Sequence, residues 1–304
     1  MGSIFVRISF CSNINNTVIN ITPLKDRIPF CRSTVNMDPF PFLFQLFMVF
    51  DFTLPVYRLL LETLSNQGHV FFRLDDYLQN VPVNAVILRH DADARPGNSL
   101  VFAGIQSTMG IQGSYYFNVC TSDRDKNIIR EIHFLGHEIG YHYDTLNTCG
   151  GNLEKAWDEF RKNLDAMRRI VPVKTITMHG SPLSGYDNRA LWEKYDYRSL
   201  GITGEPYFDI DFSRVSYYTD TGRMWDGNAF NLRDKIGGKD GSDRFHSTFD
   251  LIKAANAGTL PVSILFTFHP QRWTDNPFLW SGELAAQTVK NAVKYFFVKL
   301  RKQG

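Results

Sequence analysis

The sequence predicts an α/β protein in which helices cover a parallel β-sheet. Two observations support this fold class. From residue 55 onward, strand-like and helix-like segments alternate, and the strand segments are apolar without the polar alternation of a half-exposed strand. Alternation of this kind is typical of parallel strands joined by helices. The 304 residues are enough for one large domain with a sizeable core.

The elements can be assigned in chain order. A helix is predicted at 56–68, where leucines recur at helical spacing before Gly68, and a helix at 152–170 has an apolar stripe and Asn152 as its cap. Further helices are predicted at 96–110, 125–136 and 284–300. The predicted strands are AVILRHD (85–91), GSYYFNV (113–119), HEIGYH (137–142), KTITMHG (174–180) and VSILFTFHP (262–270).

Composition and charge narrow the class of protein. The net charge is +2 and no basic run interleaves with aromatic residues, so nothing favours nucleic acid as a partner. The four cysteines form no Cys-x-x-Cys pair, and residues 1–20 lack the features of a signal peptide. We therefore expect a reducing, cytoplasmic location. The apolar run at 40–50 is shorter than the roughly 20 residues that span a bilayer, so no transmembrane segment is predicted.

The domain organisation follows from where regularity begins. Residues 1–54 are interpreted as an N-terminal extension of uncertain order. Residues 55–304 are predicted to form one domain, with its core at 84–300. The apolar run at 40–50 either packs against this domain or lies in a membrane interface.

Acidic and imidazole side chains stand at the ends of four predicted strands: Asp91 and Asp93, His142, His179, and His269. The carboxyl ends of strands in a parallel barrel gather at one face, where sites are built. A single histidine at a strand end is usually structural, but four such strand ends predict a shared pocket. Carboxylate and imidazole ligands suit a divalent metal, with zinc as the first expectation. Such a metal activates water, while a second acid accepts a proton and a histidine protonates the leaving group.

Several segments resemble, in the right order, the polysaccharide deacetylases with the NodB-homology domain, carbohydrate esterase family four. The segments are VILRHDAD, GIQGSYYFNV, FLGHEIGYH and LFTFHP, of which FLGHEIGYH is the most specific. The segments DARPGNSL and HGSPLS are similar to a bacterial subgroup met near surface-polysaccharide genes. The resemblance covers about residues 84–300 and implies a distorted, incomplete (β/α) barrel. It also implies a metal-dependent hydrolase that removes acetyl groups from N-acetylated sugars, while some members act on other amides.

The resemblance implies roles for individual residues. Asp91 would be the general base, Asp93 and His142 metal ligands, and His269 the general acid. The family's second motif has two histidines four residues apart, but here Leu146 stands where the second would be.

The third metal ligand must then come from elsewhere. The candidates are His179, Asp144 and His246, with His179 first because it ends a strand that should adjoin the site. His179 also stands where the family's third motif normally supplies an arginine, so we expect a different charge network around the base. His137 is expected to be structural.

Residues 203–245 are long, polar and aromatic, which is typical of a functional loop region. Tyr207 and Trp225 are candidates for stacking on a sugar, and Asp220 and Arg223 for binding its hydroxyls. The alternative is a packed loop held by local turns.

Three functions remain open. The first is a metal-dependent deacylase of an N-acylated sugar or glycan precursor. The second is a degenerate homologue that binds a glycan or a partner without turnover, as Leu146 suggests. The third is a hydrolase of a small amide that is not a sugar.

Overall fold

The computed structural model describes residues 50–180, 185–225 and 245–301. Seven parallel strands form one sheet that curls into a half-barrel with flanking helices. This confirms the predicted fold class, an incomplete (β/α) barrel. Residues 1–49 lie outside the described residues, so the division at residue 54 and the interpretation of the apolar run stay predictions.

The bounds of the elements are close to those expected from the sequence. The strands are β1 Val70–Phe72, β2 Ala85–Asp91, β3 Ser114–Phe117, β4 Glu138–Tyr143, β5 Ile176–Met178, β6 Ser216–Thr219 and β7 Ile264–Phe268. The helices are α1 Leu54–Asn66, α2 Leu74–Asn80, α3 Pro96–Thr108, α4 Asp123–Phe134, α5 Thr145–Thr148, α6 Leu153–Arg168, α7 Pro206–Asp209, α8 Thr248–Asn256 and α9 Pro277–Arg301. None of the described helices combines the length and the hydrophobicity that crossing a bilayer requires.

The order of strands in the sheet is β5-β4-β3-β2-β7-β6, and β1 also pairs with β2. Strand β2 is central, because β1 pairs with its first half and β3 with its second half. Strand β7, which comes last in the chain, pairs with β2 along most of its length. This order brings the carboxyl ends of β2, β4, β5 and β7 to the same edge of the sheet.

Helix α6 shows why the sequence forms these elements. The side chain of Asn152 accepts a hydrogen bond from the backbone N–H of Lys155, 3.0 Å away, and so caps the helix as predicted. The helix buries Phe160, Leu164 and Met167 on one face. These side chains join the main core between the sheet and the helices.

Two short strands were missed by sequence reasoning. Strand β6 lies in the stretch 203–245, which was expected to be a loop, and it pairs in parallel with β7. Strand β1 has only three residues and pairs with the first residues of β2. Both strands are too short to show a periodic pattern of apolar residues. They are recognised as strands only by their pairing with β2 and β7. Residues 226–244 of the expected loop lie outside the described residues.

Candidate metal and catalytic site

Five predicted residues converge at the carboxyl edge of the sheet, and Asp93 is at their centre. One carboxylate oxygen of Asp93, Oδ1, lies 3.3 Å from Nε2 of His142 and 3.7 Å from Nε2 of His179. The other, Oδ2, lies 3.8 Å from Nε2 of His269. Asp91 borders the same group, because its Oδ2 atom is 3.9 Å from His142 Nε2. The four strand ends therefore form a single site.

Asp93, His142 and His179 form a group that could hold a metal ion. Their ligand atoms all lie within 4.8 Å of one another. A tetrahedral ion with bonds of about 2.1 Å separates its ligand atoms by roughly 3.4 Å. The two distances from Asp93 Oδ1, 3.3 and 3.7 Å, are close to that value. One carboxylate and two imidazoles are ligands that zinc and related divalent metals accept, so these residues fit the implied ion.

The imidazole of His142 is fixed in the orientation that a metal ligand needs. It is 1% exposed, and its Nδ1 atom lies 3.1 Å from the carbonyl oxygen of Thr177 on the neighbouring strand β5. A carbonyl can only accept, so Nδ1 carries the proton and donates it. Nε2 then faces the site, 3.3 Å from Asp93 Oδ1, and is the nitrogen that would bind a metal.

The pKa of the Asp93 carboxyl lies well below its ordinary value. Partial burial raises it, but the contact with His142 and the charges of the neighbouring histidines outweigh burial and lower it. About a quarter of the Asp93 side chain remains exposed. Asp93 is thus ionised and lies at the open side of the site.

Asp91 is held by an arginine on its own strand. Arg89 lies two residues earlier on β2, and its Nε and Nη2 atoms donate hydrogen bonds of 2.8 Å to the two oxygens of Asp91. Burial raises the pKa of Asp91, but the charges of Arg89 and His142 more than offset this and lower it. Asp91 is therefore an ionised, firmly held hydrogen-bond acceptor beside His142 and Asp93.

His269 is oriented by Asp220, which the sequence suggested as a substrate contact. Asp220 Oδ1 lies 2.5 Å from Nδ1 of His269, and Oδ2 accepts the backbone N–H of His269 at 2.9 Å. Arg272 and the indole N–H of Trp273 also donate to this carboxylate, which is fully buried. The Nδ1 proton is thereby fixed, and Nε2 of His269 faces the site.

The three candidates for the third metal ligand lie at different places relative to Asp93. His179 Nε2 faces Asp93, whereas Asp144 Oδ2 lies behind the ring, 3.5 Å from His179 Nδ1. This carboxylate is the main reason why the pKa of His179 is raised to about 8. Leu146 is 4% exposed and belongs to the apolar core. His246 is exposed and is not part of the ligand group.

His137 has the structural role that was expected for it. It is fully buried, and its Nδ1 atom accepts the backbone N–H of Gly113 at 3.1 Å. Its Nε2 atom donates to the carbonyl oxygen of Ala103 at 3.0 Å. Both ring nitrogens are thus occupied by backbone groups.

The structure corrects three of the four expected substrate contacts. The carboxylate of Asp220 already accepts hydrogen bonds from His269, Arg272 and Trp273. Trp225 is 1% exposed and donates its indole N–H to Thr248, so its ring packs in the core. Arg223 is 8% exposed and lies between the rings of Phe52 and Trp280, which are 4.7 and 4.8 Å from its guanidinium carbon.

Tyr207 is the one expected substrate residue that lies at the border of the site. The guanidinium of Arg89 is 5.6 Å from its ring centre, and that of Arg189 is 4.9 Å away. The ring of Tyr207 therefore makes a cation–π contact with Arg89, the arginine that is hydrogen-bonded to Asp91. Whether it also contacts a substrate stays a prediction.

Sequence reasoning missed three residues that complete the site: Arg89, Thr177 and Asn188. The signal for Arg89 was present, because residues two apart on a strand point to the same face. Thr177 acts through its backbone, so its side chain carried no signal. Asn188 contacts Asp144, which is more than 40 residues away in the chain, and the backbone of His179, which is nine residues away. No local sequence pattern indicates such contacts.

The sequence matches no protein-family model and no curated protein. A search of solved structures found a family 4 carbohydrate esterase from Streptococcus mutans, with a TM-score of 0.41 and 13% identity over 76% of this chain and 86% of that chain. A family 4 carbohydrate esterase from Streptomyces lividans, solved with acetate, has a TM-score of 0.37 and 13% identity over 68% and 88%.

A family 4 pseudoenzyme from Bacillus anthracis was also found, with a TM-score of 0.38 and 10% identity over 69% of this chain. The match spans 60% of the pseudoenzyme's own length. At TM-scores below 0.5, this likeness assigns neither a family nor a residue role.

Proposed function

We propose that the protein is a metal-dependent hydrolase that removes an acyl group, first of all N-acetyl, from a sugar or a glycan precursor. The observation that carries the proposal is the convergence of two carboxylates and three imidazoles on one edge of the sheet, three of which are held by a neighbouring group. Asp91 is held by Arg89, His142 by the Thr177 carbonyl, and His269 by Asp220.

Asp93, His142 and His179 would hold the metal. When bound, a divalent metal of this kind polarises the acyl carbonyl and lowers the pKa of water. The chain's own residues supply the proton transfers. Asp91 is ionised and hydrogen-bonded to Arg89, so it can accept a proton from the attacking water.

His269 would supply the proton to the leaving amine. Asp220 accepts a hydrogen bond from Nδ1–H of His269, so Nε2 lies on the side of Asp93 and is the atom from which the proton would be donated. The sugar amine leaves after it has taken this proton. The base and the acid come from β2 and β7, which are neighbours in the sheet.

The substrate class follows from the resemblance and is supported by the chemistry of the site. An amide of an N-acetylated sugar has the carbonyl and the leaving nitrogen that these groups can serve. We propose a soluble sugar precursor in the cytoplasm as the first substrate to test, such as a nucleotide-linked N-acetyl sugar, beside oligomers of N-acetylglucosamine.

The test is acetate release from these sugars by zinc-loaded protein. We expect release by the wild type, and a loss of about 10²–10⁴-fold in Asp91→Asn and His269→Ala. Asp123→Asn is a matched control, because Asp123 lies at the surface with 94% of its side chain exposed. Undiminished release by Asp91→Asn would contradict the assignment of the base.

Two other results would point to a different function. Zinc binding without turnover of sugars or of cyclic amides would favour a degenerate, glycan-binding homologue. Turnover of cyclic amides alone would favour a hydrolase of small amides. A wild type that binds no divalent metal would contradict the proposed mechanism altogether.

A further inference from the structure

The origin of the third metal-binding side chain is an unusual feature of this site. Leu146, on the short helix α5, stands where the resembled family has a histidine, and it is buried in the core. The second imidazole beside Asp93 Oδ1, next to that of His142, comes instead from His179, directly after strand β5. An imidazole has two ring nitrogens and can turn about its bonds, so this histidine needs a partner to present Nε2.

Asn188 ties together the two segments that meet at His179. It is 2% exposed, and its amide nitrogen donates to Asp144 Oδ1 at 2.9 Å and to the carbonyl oxygen of His179 at 3.0 Å. Its side-chain oxygen accepts the backbone N–H groups of Leu146 and Asn147 at 3.0 and 3.1 Å. The two donor hydrogens and both acceptor positions of this amide are therefore used.

Asp144 faces the ring of His179 from the side opposite to Asp93. The Nδ1 atom of His179 is buried and has no hydrogen-bond partner among the described residues, and Asp144 Oδ2 forms an ion-pair contact with it at 3.5 Å. The other oxygen of Asp144 accepts from Asn188, and Asn147 donates to Oδ2 at 3.4 Å. Asp144 thus has a fixed place after β4, from which its negative charge favours a proton on Nδ1 of His179.

We propose that Asp144, held by Asn188, is a positioning residue that orients Nε2 of His179 toward Asp93. The third metal ligand would then come from the residue that follows β5, and not from helix α5. This inference rests on the proposed metal site. A carboxylate behind a metal-binding imidazole fixes the proton on the far nitrogen and makes the near nitrogen a better ligand.

The experiment is the affinity of the purified protein for Zn²⁺, measured by competition with a coloured chelator. We expect Asp144→Ala to bind zinc about 10–100-fold more weakly than the wild type. Asp144→Asn, which keeps an oxygen acceptor without the charge, should fall between the two. Asp196→Ala is the control, since Asp196 caps a surface turn, and it should bind like the wild type.

A second readout needs no metal and separates orientation from folding. Long-range ¹H–¹⁵N spectra report which ring nitrogen of His179 carries the proton. Above the pKa of the ring we expect the proton on Nδ1 in the wild type and a loss of this preference in Asp144→Ala, while the melting temperature of Asp144→Asn stays near that of the wild type.

The outcomes distinguish this inference from the proposed function. Unchanged zinc affinity in Asp144→Ala, with zinc bound by the wild type, would overturn the positioning role and leave the metal site intact. Absence of zinc binding by the wild type would overturn both. Weakened zinc affinity in a protein that hydrolyses no amide would support the positioning role and contradict the proposed hydrolase.

Discussion

Arg89 and Asp91 lie two residues apart on strand β2, and both oxygens of the aspartate accept hydrogen bonds of 2.8 Å from the arginine. Both side chains are almost completely buried. The pair is therefore an ion pair inside the domain and next to His142. Its burial makes it sensitive to the loss of either partner, because the charge that remains has no access to water.

Loss of the arginine should change both stability and pH dependence. We expect Arg89→Met to lower the free energy of unfolding by about 3–5 kcal/mol, because Asp91 would stay buried and unpaired. The pKa of Asp91 should rise, so the acidic limb of the rate profile should move to higher pH. Denaturant unfolding and a pH–rate profile measure the two effects.

The matched control is Arg161→Met. Arg161 pairs with Asp158 at the surface of α6, where an ion pair contributes about 1 kcal/mol or less. An Arg89→Met protein as stable as Arg161→Met would contradict the burial of the pair. Arg89→Lys keeps the charge but loses the paired hydrogen bonds, so its acidic limb should move less.

Asp220 should matter for the acid step. In Asp220→Asn one of the two carboxylate oxygens that accept from His269 is replaced by an amide nitrogen, so the imidazole loses part of what orients it. We expect kcat/KM to fall by about 10²–10⁴-fold. Asp158→Asn, at an exposed position on α6, should leave kcat/KM unchanged. An undiminished kcat/KM in a folded Asp220→Asn protein would contradict the orienting role of Asp220.

The buried carboxyl of Glu205 should lower the free energy of unfolding as the pH rises. It is fully buried, and burial raises its pKa from 4.5 to about 7. Between these values the folded protein holds a proton that the unfolded chain has lost, so stability decreases with pH through this window and stays lower above it. At about 1.4 kcal/mol for each pKa unit, the loss is on the order of 3 kcal/mol.

The measurement is the free energy of unfolding at a series of pH values in the wild type and in Glu205→Gln. The variant lacks the titrating group, so its curve should be flatter between about pH 4.5 and 7. Glu138, a second buried carboxyl with a pKa raised to about 7 chiefly by burial, will contribute a remaining slope in both proteins. Identical slopes would show that Glu205 is not buried in its protonated form.

Metal binding should stabilise the folded protein. At a zinc concentration about 100 times the dissociation constant, the free energy of unfolding should increase by about 2.7 kcal/mol. Thermal unfolding with and without zinc should show this as a higher melting temperature in the wild type. His142→Ala should lose the shift, whereas His133→Ala, an exposed histidine on α4, should keep it. An equal shift in both variants would place the zinc elsewhere.

Local patterns were enough to predict the fold class and the residues at the strand ends. Apolar strands alternate with amphipathic helices over segments of a few residues, and each segment carries its own periodic signal. A parallel sheet has one carboxyl edge, so Asp91, Asp93 and the strand-end histidines could be expected there. The cap at Asn152 was equally local, since it concerns a side chain and a backbone group three residues apart.

Only the tertiary structure decided which partner each of these residues has. Asp220 and His269 are 49 residues apart, and they meet because β6 and β7 are neighbours in the sheet. Trp225 and Arg223 are buried by packing against distant aromatic rings, which their own polar surroundings in the sequence did not reveal. The sequence by itself determined five of the seven strands and the chemistry at their ends, because those depend on near neighbours in the chain. The order of the strands determined which groups converge, because it depends on contacts between residues that are far apart in the sequence.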